Sequence, residues 1–436
     1  MREYSYLVRH VERRENTTRS KMSSLLKKVT MALLILVLVA TFGFGCGKKG
    51  EERTTITIGC MADLTGVASS AIKPIAEVFV DTARYYNDQD LIPGVKINAI
   101  VYDTHFDAAR IVPGYDWLRG KGAEVIVVVM AQDAEMLKSF AERNKCVIVS
   151  SSGSPGLVEP PGWVFLTSTF SRYPTFALLK WISEHDWDYS NGIPKLGIAS
   201  WPTLTDLDKV DAMKAYAQAH PDKFEFVDGI LLPTGTMDFQ SAVRKLKDCD
   251  YISSQSPQGA YFWRDYLAAG YHKAKVLDPD GSMSSALPFF TAMNGWGSLD
   301  GAVWGMSCLS WADRDESPLV QRMYDMLLEY RTGGKDISNY ADNQAYEGAG
   351  ASFVAVPFDI LDRAVKEVGA QNFNGQAYYD AAIKYKTDGP IWENYPVNGY
   401  SETKRTLMDY TALWRINAAE ESFKWAGEWL PIMLAP

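Results

Sequence analysis

A run of small hydroxyl residues is the first place where this chain could do chemistry. Lys145 to Leu157 reads KCVIVSSSGSPGL, a short apolar segment passing straight into Ser150, Ser151, Ser152, Gly153, Ser154, Pro155 and Gly156. Small hydroxyl residues at the carboxyl end of a buried parallel strand are where an open α/β sheet receives a ligand. Ser150 to Ser154 are therefore candidates for part of a binding cleft. The same composition also makes an ordinary strand-to-helix loop, because Ser, Gly and Pro are the commonest turn formers. Only the surrounding elements can decide between the two.

Other reactive residue types are dispersed. The histidines, His10, His105, His185, His220 and His272, are scattered, and no GxSxG elbow, HExxH, P-loop or CxxC spacing occurs. The pairs Asp248/Asp250 and Asp278/Asp280 read as solvated loops more simply than as the two carboxylates of a glycosidase. A hydrolase is therefore a remote alternative, and an enzyme is not expected. Gly45 to Gly50 fits GxGxxG, but no strand-helix unit surrounds it. Cys60, Cys146, Cys249 and Cys308 have neither CxxC nor finger-like spacing, so neither a metal nor a cofactor is implied. A disulfide among them and buried free thiols at strand ends are both open readings.

The first 45 residues read as a targeting segment. Lys27 and Lys28 precede an apolar run from Val29 to Phe44, and small residues lead into Cys46. Basic flank, short greasy core and small residues before a cut site make a secretory signal peptide. The run is shorter than the roughly 20 residues of a membrane-spanning helix. Residues 1–21 lie upstream of a more natural start at Met22 and add nothing to a signal. Of 44 basic and 53 acidic residues, positions 1–45 hold eight and three, leaving 36 against 50 and a net charge near −14. That balance argues against nucleic acid, whose phosphates demand a basic face. It suits a soluble extracytoplasmic protein. About 390 remaining residues are too many for one comfortable core and suggest two lobes.

The elements that would position the serine loop follow an α/β rhythm. Thr55–Cys60, Val95–Tyr102, Glu124–Met130 and Cys146–Val149 read as strands, and Ala71–Asn87, Asp107–Arg119 and Ala134–Arg143 as the helices between them. This alternation predicts right-handed crossovers and a parallel sheet. It restarts with strands at Trp163–Thr167, Lys195–Ser200, Phe224–Leu231, Tyr251–Ser253 and Lys275–Leu277. Helices Tyr173–Glu184, Thr203–Ala219, Phe239–Leu246 and Gly259–Ala269 lie between, so a second, similar lobe is expected. A strand near Val303–Met306, helices Leu319–Arg331 and Asn343–Val368, strands Lys404–Asp409 and Thr411–Ile416, and an amphipathic tail at Ser422–Leu430 complete the pattern. Thirteen Trp and 23 Tyr are many. Trp201, Trp304, Trp311, Tyr340 and Tyr346 fall near strand ends, where they could wall a flat or apolar ligand. Large aromatics are also the usual filling of a core.

From Thr54 to Asn417 the order of features resembles the type I periplasmic solute-binding proteins of ABC importers, the branch that includes leucine/isoleucine/valine- and amide-binding proteins. Asp63-Leu-Thr65-Gly66 is similar to the family's LTG motif, which faces the ligand. Asn87, Gly94 to Asp103 and Phe106-Asp-Ala-Ala-Arg110 are similar to the helix exit, second strand and next helix start. Gly229, Asp238-Phe239 and Leu246 match a pattern of the second lobe, and Pro279-Asp280-Gly281 sits at a later ligand loop. Cys46 after Gly45 resembles a lipobox, with Gly43 where the family usually has Leu.

The resemblance implies an α/β fold of two Rossmann-like lobes, each a parallel sheet flanked by helices, joined by a multi-strand hinge. The expected division is 1–45 signal peptide, 46–53 lipidated linker, 54–170 with about 311–388 as lobe one, and 171–310 with about 389–436 as lobe two. It implies that Ser152, Gly153 and Ser154 hold a ligand carboxylate through backbone N–H groups and a hydroxyl, with Thr65, Ala131 and Gln132 facing the same ligand. Ser171 stands where amino-acid-binding members commonly carry an acid, and that departure weakens an amino-acid reading. Asp280 is a candidate acid on lobe two, or a turn former, while Trp201, Gln255 and Ser256 fall on the lobe-two lips. The implied function is delivery of a small organic or aromatic acid, an amide or, second, a branched amino acid to a membrane permease. The protein would be a monomer tethered by lipid on Cys46 in the periplasm or at the cell surface. A ligand sensor acting on a separate receptor is the alternative.

Overall fold

The computed structural model describes residues 53–255, 257–309, 311–334 and 344–436. Strands β1 (Thr54–Ala62), β2 (Val95–Asp103), β3 (Ala123–Val128), β4 (Val147–Ser150) and β5 (Val164–Leu166) form one sheet in the order β2-β1-β3-β4-β5, and every pairing is parallel. Helices α1 (Ser69–Asp88), α2 (Ile111–Gly120) and α3 (Ala131–Asn144) make the crossovers. β3 reads AEVIVV and is buried at all but one position. Such a run is what a parallel strand needs when helices cover both faces.

A second sheet comprises β6 (Lys195–Ser200), β7 (Glu225–Leu231), β8 (Tyr251–Ser253), β9 (Lys275–Asp278), β10 (Val303–Met306), β11 (Tyr410–Asn417) and β12 (Ser422–Pro431), in the order β12-β11-β10-β9-β8-β6-β7. α4 (Arg172–Trp181), α5 (Leu204–Ala219), α6 (Gln240–Leu246) and α7 (Gln258–Ala268) flank it, while α8 (Pro318–Tyr330) and α9 (Ala355–Val368) return to the first lobe. There Arg331, just after α8, holds the buried Asp81 of α1 at 2.5 and 2.9 Å, and Tyr346 OH donates to the same carboxylate at 2.9 Å. A buried charge is tolerated when so paired.

The chain passes between the sheets after β5, after β10 and again just before β11. At the last crossing Thr406 bridges Leu166 of β5, flanked by Leu166 N–H to Arg405 at 2.7 Å and Leu407 N–H to Leu166 at 2.9 Å. Buried Arg405 fixes this point, donating to the Gly162 carbonyl at 2.8 Å and to Tyr379 OH at 2.6 Å. The expected strand Lys404–Asp409 is therefore two isolated bridges, Lys404 to Ser401 and Thr406 to Leu166, within a crossing. The strand proper starts at Tyr410, where pairing with Pro431 of β12 begins, and it joins β10 from Ala412.

Three further expectations shift. The tail Ser422–Leu430 is β12, paired antiparallel to β11, so this sheet is mixed. The helix expected over Asn343–Val368 is broken by a widened turn at Gly350–Val354, and Asn343 lies outside the described residues. α3 begins at Ala131, not Ala134, because β3 ends at Val128 and Met130 is the extended residue before the helix. That last difference places Ala131 and Gln132 in a helix's first turn. All four cysteines described are buried free thiols. Burial pushes Cys60, Cys146 and Cys249 up to about 12.

Candidate ligand-binding site

The carboxyl ends of both sheets face a common cleft of about 180 Å3. This is where open α/β sheets bind ligands. The first sheet contributes Val129 to Gln132 after β3, Ser151 and Ser152 after β4, and Thr167, Ser168 and Ser171 after β5. The second contributes Trp201 and Thr203 to Thr205 after β6, Gln255 and Gln258 around the start of α7, and Asp280 to Ser282 after β9. Ile72 and Ile75 of α1, with Met306 and Phe353, supply apolar surface.

On the first wall α3 points its amino end at the cleft. Asp133 and Ala134 N–H donate back to the Met130 carbonyl, whereas Ala131 and Gln132 N–H have no acceptor among the described residues. Free N–H groups at a helix start, with the positive end of the helix dipole, attract an anion. The adjoining loop is held by its own hydroxyls. Ser150 Oγ donates to the Ser152 carbonyl at 2.8 Å, Ser151 Oγ to the Val129 carbonyl at 3.0 Å, and Ser168 Oγ to the Ser151 carbonyl at 2.5 Å. Ser152 lies on the cleft with its own hydroxyl uncommitted.

Three expected residues of the first lobe stand apart. Ser154 is turned away and its hydroxyl donates to Glu135, while its backbone leads into the helical turn Pro155–Val158. Gly153 is buried beneath the loop, where a Cβ would come within 2.7 Å of Leu157. Thr65 is outside the cleft lining, its hydroxyl donating to Asp103 at 2.7 Å. Ser256 and Cys46 lie outside the described residues. Of the aromatics, Trp201 lines the cleft and anchors its Nε1 on the Thr236 carbonyl at 3.0 Å. Trp304 and Tyr346 are core residues. Tyr340 and the side chain of Trp311 lie outside the described residues.

The second wall carries a buried ionic cluster that sequence patterning missed. Lys209 of α5 is fully buried, and its ammonium reaches Ser282 Oγ at 2.9 Å, Asp280 at 3.3 Å and Asp206 at 3.4 Å. Asp280 accepts Ser171 Oγ at 2.6 Å and Ser282 N–H at 3.2 Å. Asp206 accepts Ser200 Oγ at 2.8 Å and Thr203 Oγ1 at 2.7 Å. Burial opposes the Asp280 charge, but the Lys209 ammonium and these hydrogen bonds outweigh it and hold the carboxyl below its ordinary range. At Asp206 burial wins and the carboxyl is pushed up. Asp278, buried and beside the Asp280 charge, is pushed well up. For Lys209 burial is outweighed by the three carboxylates, which raise it above its ordinary value.

Gln255 Oε1 accepts from Thr205 at 3.2 Å and lies 2.7 Å from Thr203 Oγ1, and Gln258 Nε2 donates to Ser200 at 2.8 Å, leaving Gln258 Oε1 buried without a partner. The structure thus brings Ala131, Gln132, Ser152, Ser171, Trp201, Gln255 and Asp280 to one cavity. No group of three or more His, Cys, Asp or Glu among the described residues could hold a metal. No helix among them is long and apolar enough to cross a membrane.

Two sheet-and-helix lobes, crossed three times by the chain and sharing a polar cleft, are the architecture of a hinged solute-binding protein. Residues 55–394 match the family model described as periplasmic binding protein, and the chain belongs to that family. Solved structures with the same fold include a branched-chain amino acid ABC transporter protein from Thermus thermophilus with bound valine. It is 17% identical with a TM-score of 0.70, over 87% of this chain and 96% of that one. A fatty acid ABC transporter substrate-binding protein from Thermomonospora curvata is 16% identical with a TM-score of 0.69, over 87% and 92%. A solute-binding protein from Rhodopseudomonas palustris BisB5 in complex with 3,4-dihydroxybenzoic acid is 16% identical with a TM-score of 0.65, over 88% and 97%. At these identities the likeness is one of fold. No curated protein sequence gives a significant match.

Proposed function

We propose that this protein is the extracytoplasmic substrate-binding component of an ABC importer, carrying a small carboxylate to a membrane permease. The observation that carries the reading is the first wall of the cleft. Two unsatisfied N–H groups at the start of α3, Ala131 and Gln132, stand with the uncommitted Ser152 hydroxyl beside apolar surface. Such donors hold an anion without burying a bare countercharge. The cavity is smaller than the roughly 300–1,000 Å3 of drug-sized sites, which suits a small solute. Ile72, Ile75, Trp201 and Phe353 favour an apolar or aromatic body, so an organic or aromatic acid leads and a branched amino acid follows. Structural neighbours that carry valine and 3,4-dihydroxybenzoic acid support that range.

Ligand contacts from both walls would favour the closed arrangement of the lobes, and that arrangement is what the permease reads. Residues 1–45 direct export, lipid on Cys46 tethers the chain through a linker at 46–53, and the protein acts as a monomer without catalysis. Lobe one takes 54–170 with about 311–406, and lobe two 171–310 with about 407–436, the second boundary lying at the crossing beside Thr406. Thermal-shift screening against aliphatic acids, aromatic acids, amides and amino acids tests the central claim. Stabilisation confined to carboxylates is expected, and equal stabilisation by carboxylates and their neutral amides would refute the anion site.

A further inference from the structure

Among the described residues lining the cleft, Asp280 alone bears a charged side chain. It is the group that a ligand cation would seek, yet its capacity is taken from behind. A carboxylate offers about four acceptor positions. Lys209 and Ser282 N–H occupy Oδ1 at 3.3 and 3.2 Å and Ser171 occupies Oδ2 at 2.6 Å, while Asp278 is buried two residues before it. The Lys209 ammonium in turn donates to Asp280 and Ser282 and lies 3.4 Å from Asp206 as an ion pair. Lys209 itself is completely buried. Asp206 is withdrawn from the cleft lining, and burial raises both it and Asp278.

A second cation placed against Asp280 would have to use its one remaining acceptor position or displace one of these donors, and in either case sit close to Lys209 with little water to screen the repulsion. A separate observation points the same way. The buried side-chain acceptor left open among the described lining residues, Gln258 Oε1, is uncharged and offers a ligand cation no countercharge.

We infer that Lys209 makes this a cleft for acids without an α-ammonium group, spending the charge of Asp280 internally so that α-amino acids are excluded. The inference rests on the carboxylate reading above and narrows its ligand class. Lys209 acts through Asp280 and is a positioning residue, so its removal should change discrimination between ligands, a readout that a merely structural role would not move.

The test measures calorimetric affinity at pH 7 for two matched pairs, 4-methylpentanoate with leucine and 3-phenylpropanoate with phenylalanine. In the unmodified protein the deaminated member of at least one pair is expected to bind tenfold or more tightly than its amino acid. In Lys209→Met, which keeps the length of the buried chain, the ratio should move at least tenfold toward the amino acid. Equal or tighter binding of the amino acid by the unmodified protein overturns the inference, and so does an unchanged ratio in the variant. If the variant does not fold, the ratio in the unmodified protein decides alone. Binding of none of the four, with stabilisation by neutral amides instead, overturns the carboxylate reading and this inference with it.

Discussion

Ser152 and Ser154 are two residues apart and do different work. The hydroxyl of Ser152 faces the cleft, whereas that of Ser154 is given to Glu135. Ser152→Ala should weaken carboxylate binding by about ten- to a hundredfold, the range of roughly 1.5–3 kcal/mol for a hydrogen bond to a charged group. Ser154→Ala should leave calorimetric affinity within about threefold, since its hydroxyl makes no ligand contact in this arrangement. Asp133, in the first turn of α3, is a residue whose charge matters to stability. Burial, with the Asp63 charge beside it, pushes its carboxyl up to about 7. The folded form therefore holds this proton more tightly than the unfolded chain, so its contribution to stability falls as pH rises from about 4 to 7 and stays low above. Asp133→Asn should raise the melting temperature at pH 8 and leave it little changed at pH 4, by a difference on the order of a few kcal/mol. Equal effects at both pH values would remove the charge from the explanation.

At the scale of the element, the site depends on where α3 starts. Met130 is extended, with φ −96° and ψ 127°, and Ala131 is the first helical residue. Proline is tolerated at a first helical position and wants an extended residue before it. Ala131→Pro should therefore keep the melting temperature within a few degrees while removing one N–H donor from the anion site, lowering carboxylate affinity about tenfold or more. Equal affinity would show that the ligand uses another part of the wall. The loop after β9 depends on its backbone in the same way. Gly281 has φ +70°, and a Cβ there would meet Met306 Sδ at 1.9 Å, so glycine lets this loop fold back and present Asp280.

For the whole molecule, the three crossings let two compact lobes meet around one cavity. Ligand binding should reduce the radius of gyration in solution scattering if closure is the signal the permease reads. Stabilisation should also follow mass action, near 2.7 kcal/mol at a hundredfold excess over the dissociation constant. Binding without compaction would separate recognition from closure.

The order of strands and helices was legible in the chain because parallel strands buried on both faces must be apolar throughout and their crossover helices amphipathic. β3 and β4 are visible in this way, and so is the serine loop that β4 delivers. The family resemblance also carried Trp201, Gln255 and Asp280 to the second wall, each following a strand end. Local pattern could not show which serine turns inward, because Ser150, Ser151 and Ser168 bond to carbonyls that only the folded loop brings near. Nor could it show Lys209, which sits among Asp206, Asp208 and Asp211 in a helix that reads as a solvated face. Only the packing of α5 against the β9 loop buries that ammonium with Asp280. The chain alone determined two α/β lobes with a polar loop at the first, since periodicity is a local property. Tertiary structure decided the charge the cleft presents, since a buried ion pair joins residues 71 positions apart.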